Sequence, residues 1–396
     1  MNNNIDLSGK LKMLEAEVEA DIKKKNESEA LIWQEFTGQS LKKEDNLTPY
    51  KEAAATQTDK TAADMMSEDI LTKDDFSNSG KWVMALAGGG GKGSYQLGVW
   101  KALREIGVID HISAVSGASV GALNAALISI GDYDNAENIW FNILPEQFLD
   151  LSDQTFTGPL NTFVNKVKSD GLCSREGLMN ILNKKVDINA LAKPAIDAYA
   201  CISWYPSDSI EAIEEKPVAE YIRLCEVDAA DAKKILLASS AMPYIYPAEV
   251  IHGKVYRDGG LSDNLPIKPL VNLGADRLIS VKLDPNSKAD TNLYSRFKEV
   301  VEIVPSREIG GLIDGTLDFH KRNVLFRMLL GYYDTLRAFS LRMYNINGVP
   351  LSEAEINRRI EADFERVLSE VRRKKALTSA ETHMTQLDDL LKKMQF

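Results

Sequence analysis

The chain carries Gly117-Ala118-Ser119-Val120-Gly121, reached by the apolar stretch Ile112 to Val115 and followed by the helix-like run Ala122 to Ile130. A strand that turns at once into a helix around a serine leaves few folds open. The two glycines remove side chains that would collide as the turn folds on itself, and the turn pushes Ser119 Oγ out of the backbone toward a substrate carbonyl. The pattern reads as a nucleophile elbow. A G-x-S-x-G match alone is cheap, and its meaning depends on its neighbours.

From Lys81 onward apolar strand-like runs alternate with helical periodicity: Trp82 to Ala87, Tyr95 to Ile106, Ile112 to Val115, Val120 to Ile130. This β-α-β-α order predicts an α/β fold of three layers, α/β/α, with a mostly parallel central sheet and ligands at the carboxyl ends of its strands. Ile196 to Trp204, Tyr221 to Val227 and Leu278 to Leu283 read as further strands, and Ala229 to Ser240 and Pro266 to Leu273 as helices. Ala248 to Ile251 and Lys254 to Tyr256 read as two short strands joined at His252-Gly253.

Gly88-Gly89-Gly90-Gly91-Lys92-Gly93 follows the first strand and opens the first helix. Backbone N–H groups in such a loop, backed by a helix N-terminus, converge on negative charge, which is how an oxyanion hole is built. Gly88-x-Gly90-x-x-Gly93 also satisfies the dinucleotide-binding spacing, but the second strand runs into the elbow where that reading needs an acid, and Asp110 lies at its wrong end. A Walker loop fits less well, because Gly93 follows Lys92 where a Ser or Thr should hold magnesium.

Asp258-Gly259-Gly260 ends the predicted hairpin, so its carboxylate faces the active edge of the sheet; read alone, it is more readily a turn aspartate bonding its own backbone, and the company of the other two motifs reverses this. Of the four histidines, His111 begins the strand before the elbow, His252 sits at a turn and His383 in the tail. His320 alone completes the Ser, Asp, His order of an α/β-hydrolase triad. A Ser-Asp dyad suits the chain better.

The glycine loop 88 to 93, the elbow 117 to 121 and Asp258-Gly259-Gly260, in that order, resemble the patatin-like phospholipase family over most of residues 81 to 275. Ala238 to Pro247 and Asn264-Leu265-Pro266 are similar to the segments that flank the third motif there. The resemblance implies a patatin-like fold, Ser119 as nucleophile, Asp258 as base and Gly89, Gly90 and Gly91 as oxyanion donors, with Gly88, Lys92, Gly93, Gly117, Gly121, Gly259 and Gly260 supporting the motifs. It implies a lipid ester as substrate, hydrolysed through an acyl-enzyme with no cofactor or metal. Lys92 stands where the family often has arginine, and reads as orienting the loop, as meeting a lipid phosphate, or as a solvated loop lysine. A nucleotide-binding protein using the 88–93 loop and a non-catalytic scaffold remain the other readings.

Composition sets the surroundings. The net charge is −11, with seventeen Asp and Glu against ten Lys over residues 1–80, so nucleic acid and anionic lipid are repelled except at a local basic face. Residues 1–80 are expected to form an acidic, partly helical and partly disordered extension, with Leu11, Leu14, Val18 and Ile22 striping a helix that docks on the chain itself or on a protein partner. Residues 81–345 form the expected phospholipase domain. Residues 346–396 form amphipathic helices headed by the capping boxes Ser352-x-x-Glu355 and Thr378-x-x-Glu381. Val324 to Leu330, flanked by Lys321, Arg322, Arg327 and Arg337, reads as an interfacial helix with a cationic rim or as a core helix. The N-terminus has neither a basic nor an apolar signal region, and no window approaches a spanning helix, so a cytoplasmic protein with scope for peripheral membrane contact is expected. Cys173, Cys201 and Cys225 lie far apart without metal-site spacing.

Overall fold

A computed structural model describes residues 80–143, 175–207, 216–287 and 290–339, with the single positions 352, 354, 358 and 362. The acidic extension and, those four positions aside, the tail helices lie outside the described residues.

Among the described residues eight strands form one mixed sheet: β1 (Trp82–Leu86), β2 (Ile112–Ala118), β3 (Asp197–Trp204), β4 (Val218–Arg223), β5 (Glu249–Ile251), β6 (Lys254–Asp258), β7 (Arg277–Val281) and β8 (Glu299–Ile303). Their order is β5-β6-β3-β2-β1-β7-β8, with β4 on β3. The neighbouring strands β3, β2, β1, β7 and β8 are parallel, and β4, β5 and β6 supply the antiparallel pairs. The central strands β1, β2 and β7 are buried almost throughout, as strands covered on both faces are, whereas the edge strand β8 is largely half-buried.

Helices α1 (Ser94–Glu105), α2 (Val120–Ile130), α3 (Tyr133–Asn142), α4 (Glu176–Lys184) and α5 (Ala229–Ser239) join the long helix α7 (Lys321–Phe339) in the larger core. β1 divides the two cores by its alternation. Trp82, Met84 and Leu86 face this helical layer, while Val83 and Ala85 face a thinner one with Ile267, Leu270 and Phe297. The thinner layer is held by the turn Lys268–Leu270 and the short helix α6 (Thr291–Tyr294). The α/β/α layering holds, with unequal outer layers.

One expectation changes and one pair of readings is decided. Pro266 to Leu273 is a single 3-10 turn, since Pro269 lies in its first turn and Asn272 (φ 72°) and Gly274 (φ 78°) take left-handed backbone just beyond it. For Val324 to Leu330 the core-helix reading holds, since Val324, Leu325, Met328, Leu329 and Leu330 are buried, but Arg327, which that reading leaves exposed, is buried with them. Helix α7 packs on α1 through glycines, for a Cβ on Gly98 would meet Met328 O at 1.8 Å and one on Gly331 would meet Tyr95 O at 2.0 Å. Among the described residues no helix is long and apolar enough to cross a membrane.

Candidate active site

One strand register brings the two separated motifs together. β4 takes one edge of β3 from Tyr199 through Trp204, so β2 and β6 must share the other. On that shared edge Ala118 pairs with Cys201, and Asp258 pairs with Ile202, one residue farther along. β2 and β6 therefore meet end to end, with the elbow and the aspartate at the junction.

Ser119 Oγ donates to Asp258 Oδ2 at 2.7 Å. The carboxylate's other oxygen accepts the Gly260 amide at 2.8 Å, which fixes the ring of backbone formed by Asp258, Gly259 and Gly260. Ser119 has φ 55° and ψ −126°, a conformation strained for any residue with a Cβ. Its amide is anchored on Ser239 Oγ at 2.9 Å, and that hydroxyl donates to Cys201 O at 2.6 Å. Gly117 and Gly121 are needed where the elbow closes: a Cβ on Gly117 would lie 2.1 Å from Gly121 O, and one on Gly121 would lie 2.4 Å from Leu86 O.

Asp258 is 8 % exposed, and its burial pushes its pKa up to about 6, against the opposing pull of the Ser119 and Gly260 hydrogen bonds and the Arg175 charge. Arg175 itself is tied to the C-terminal end of α5 through Leu237 O and Ser240 Oγ. A carboxylate raised this far remains mostly ionised at neutral pH and is a stronger base than a free aspartate.

The glycine loop lies beside the serine. Gly88, Gly89 and Gly90 line the same cavity as Ser119 and Asp258, while Gly91 and Gly93 are buried behind them in the first helical turn. Gly88 N–H donates to Asn264 O and Lys92 N–H to Gly89 O; the amides of Gly89, Gly90 and Gly91 have no protein acceptor among the described residues. Asn124 of α2 couples this loop to the elbow helix by donating to Gly93 O at 3.0 Å and to Gln96 Oε1 at 2.8 Å. Lys92 is half-buried, which lowers its pKa, and it does not line the cavity.

That cavity measures about 330 Å³. Beyond Ser119 its walls are apolar, from Leu123 and Leu127 of α2, Trp140 of α3, Leu178 and Leu182 of α4, Leu236 of α5, and Phe319. Such a lining accepts a hydrocarbon chain and orients it through a few polar groups at one end.

The chain's sequence answers to the same description. A sequence model of the patatin-like phospholipase family matches residues 84–271, which span the glycine loop, the elbow and Asp258-Gly259-Gly260. Residues 84–271 belong to the patatin-like phospholipase family. An uncharacterized NTE family protein of Mycobacterium tuberculosis is 25 % identical over 208 residues, covering 52 % of this chain and 50 % of that protein. Neuropathy target esterase sws of Drosophila melanogaster is 27 % identical over 235 residues, covering 55 % of this chain and 14 % of that protein. The chain thus spans about half the length of its mycobacterial relative. Among solved structures it is similar to VipD from Legionella pneumophila, with a TM-score of 0.45 and 14 % identity over 79 % of this chain and 80 % of that one.

His320 and His252 stand apart from the serine's hydrogen bond. His320 Nδ1 pairs with Asp318 at 2.7 Å and His252 Nε2 with Asp231 at 2.7 Å, whereas Ser119 Oγ is engaged by Asp258. Sequence reasoning missed Ser239 as the anchor of the elbow, although it lies in the Ala238 to Pro247 segment that carries part of the resemblance. It also missed Asn124 and Asn264, which link the glycine loop to its neighbours.

Proposed function

We propose that this chain is a lipid acyl hydrolase of the phospholipase A type, acting through a Ser119–Asp258 dyad. The 2.7 Å bond between the two side chains, at the polar end of an apolar cavity, carries the reading. The ionised carboxylate of Asp258 accepts the proton of Ser119 Oγ as that oxygen attacks the ester carbonyl. The amides of Gly89, Gly90 and Gly91 hold the oxyanion, and each such donor is worth about 3 kcal/mol. Collapse expels the alcohol, which takes its proton from Asp258. Water then attacks the acyl-enzyme, gives its proton to Asp258, and frees the fatty acid as Ser119 Oγ is reprotonated. The family match and a relative named as an esterase support an ester substrate. The apolar walls favour its acyl portion, and a lipid substrate brings the protein to a membrane or micelle surface at least transiently.

A fluorophosphonate probe tests the chemistry directly. It should label the wild-type protein at Ser119, and Ser119→Ala should lose both the adduct and hydrolysis of a glycerophospholipid or acyl ester by at least about a thousandfold. Full activity in Ser119→Ala or in Asp258→Asn would end the dyad reading.

A further inference from the structure

Between β8 and α7 the chain passes across the glycine loop, and it does so at backbone contact. A Cβ on Gly90 would stand 2.1 Å from Thr316 O, and a Cβ on Gly91 would stand 2.1 Å from Asp318 O. Thr316, Leu317 and Phe319 of the same segment line the cavity. This crossing lies outside residues 84–271, so the family's motifs do not account for it.

Arg327, on the second turn of α7, holds the crossing in place. Its side chain is 2 % exposed, and its five N–H groups meet five acceptors. Nε donates to Ile309 O at 3.2 Å; Nη1 donates to Asp318 O at 2.8 Å and to Gly91 O at 3.4 Å; Nη2 donates to Asp314 O at 2.8 Å and to Asp318 Oδ2 at 3.0 Å. A guanidinium has no further donor to give. Asp318, fully buried in its side chain, is held in turn by His320 N, His320 Nδ1 and Asn323 Nδ2. One planar group therefore joins the start, middle and end of segment 309–319 to the carbonyl of Gly91 in the glycine loop.

We propose that Arg327 is a positioning residue for acyl transfer: through segment 309–319 it sets the orientation of the glycine-loop amides and the wall of the acyl cavity, and so governs both turnover and acyl-chain selection. The inference rests on the acyl-hydrolase reading above. A residue that merely stabilised the fold would affect the amount of folded protein and leave the folded fraction's kinetics alone.

Arg327→Lys tests this, because lysine keeps the charge opposite Asp318 but has three donors and no planar fork. Rates are referred to active sites counted by fluorophosphonate labelling, using short-chain and long-chain p-nitrophenyl esters. The expected result is a kcat about 10- to 100-fold lower on the short ester with KM changed less than about threefold, as expected when donors shift by an ångström or less. The long-to-short ratio of kcat/KM should change by more than about threefold as the wall loosens. Asp318→Asn, which keeps the side-chain shape but weakens the hold on Nη2, should move both quantities in the same direction by a smaller factor. Wild-type kcat and an unchanged chain-length ratio in a folded Arg327→Lys protein would overturn the proposal; if that variant does not fold, the same outcome in Asp318→Asn would do so. Absence of hydrolysis and of Ser119 labelling in the wild-type protein would instead remove the acyl-hydrolase reading, and this inference with it.

Discussion

Ser119 and Asp258 are 139 residues apart in the chain and 2.7 Å apart at their side-chain oxygens. The strand register behind that contact is unusually direct: the serine leaves β2 where Ala118 pairs with Cys201, and the aspartate ends β6 opposite Ile202. Neither side chain reaches far. Their geometry is therefore set by backbone pairing, which is stiffer than any rotamer.

The raised pKa of Asp258 gives the reaction a pH dependence of predictable sign. Only the ionised form can accept the Ser119 proton, so kcat/KM should rise through about pH 6 and level off above it. A pH–rate profile on a non-ionising ester checks this, and a midpoint near pH 4 would show that burial does not control the base.

The same shift predicts a stability change of opposite sense. A carboxyl whose folded pKa lies above its unfolded value binds its proton more tightly when folded, so the folded state loses stability as pH rises from about 4 to about 6. Asp258→Asn removes that buried charge. It should abolish hydrolysis yet melt higher than the wild type at pH 8, by up to about 3 kcal/mol, with the advantage gone at pH 4. Thermal melts at both pH values decide it.

Backbone strain at Ser119 can be read by comparing two inactive variants. With φ at 55°, alanine keeps the strain of a Cβ and glycine relieves it. Ser119→Gly should be more stable than Ser119→Ala by about 1 kcal/mol in urea unfolding. Equal midpoints would show that the elbow relaxes when the hydroxyl is removed.

Ser239 anchors the elbow, because its hydroxyl serves Ser119 N and Cys201 O at once. Ser239→Ala leaves the half-buried Ser119 amide and the buried Cys201 carbonyl without this partner, at a cost of about 1–3 kcal/mol. Activity per folded molecule should fall as well, since the elbow loses its anchor. Wild-type kcat in this variant would show that the backbone pairing alone holds the nucleophile.

Gly331 marks one of the two close approaches of α7 to α1. Gly331→Ala would place its Cβ 2.0 Å from Tyr95 O, which the backbone cannot evade without separating the helices. A loss of about 3 kcal/mol, larger than the helix-propensity gain of alanine, is expected in denaturant unfolding.

Much of the fold was legible because its signals are local. β1, β2, α1, α2 and α5 appear within a residue or a few of their predicted bounds, since each is a continuous apolar run or a clean helical period bounded by glycine, serine or aspartate. β8 escaped notice because Glu299 and Glu302 interrupt its apolar residues; the structure pairs them with Arg277 and Lys282 at the sheet edge. The 268–270 turn looked helical because Ile267 and Leu270 are three apart, a spacing that one 3-10 turn satisfies equally well.

By itself the sequence determined the chemistry available to this protein. A serine between glycines, a glycine loop before a helix and an aspartate before two glycines are contiguous patterns, and each fixes a local backbone shape wherever it occurs. Tertiary structure decided which of those groups meet. Only the shared edge of β3 brings Asp258 to Ser119 instead of His320, and only the packing of α7 turns Arg327 from an apparent surface charge into a buried clamp on the glycine loop. The reason is physical: periodicity reports the face of an element, while partners across a sheet or between helices depend on register and close approach, which no local pattern records.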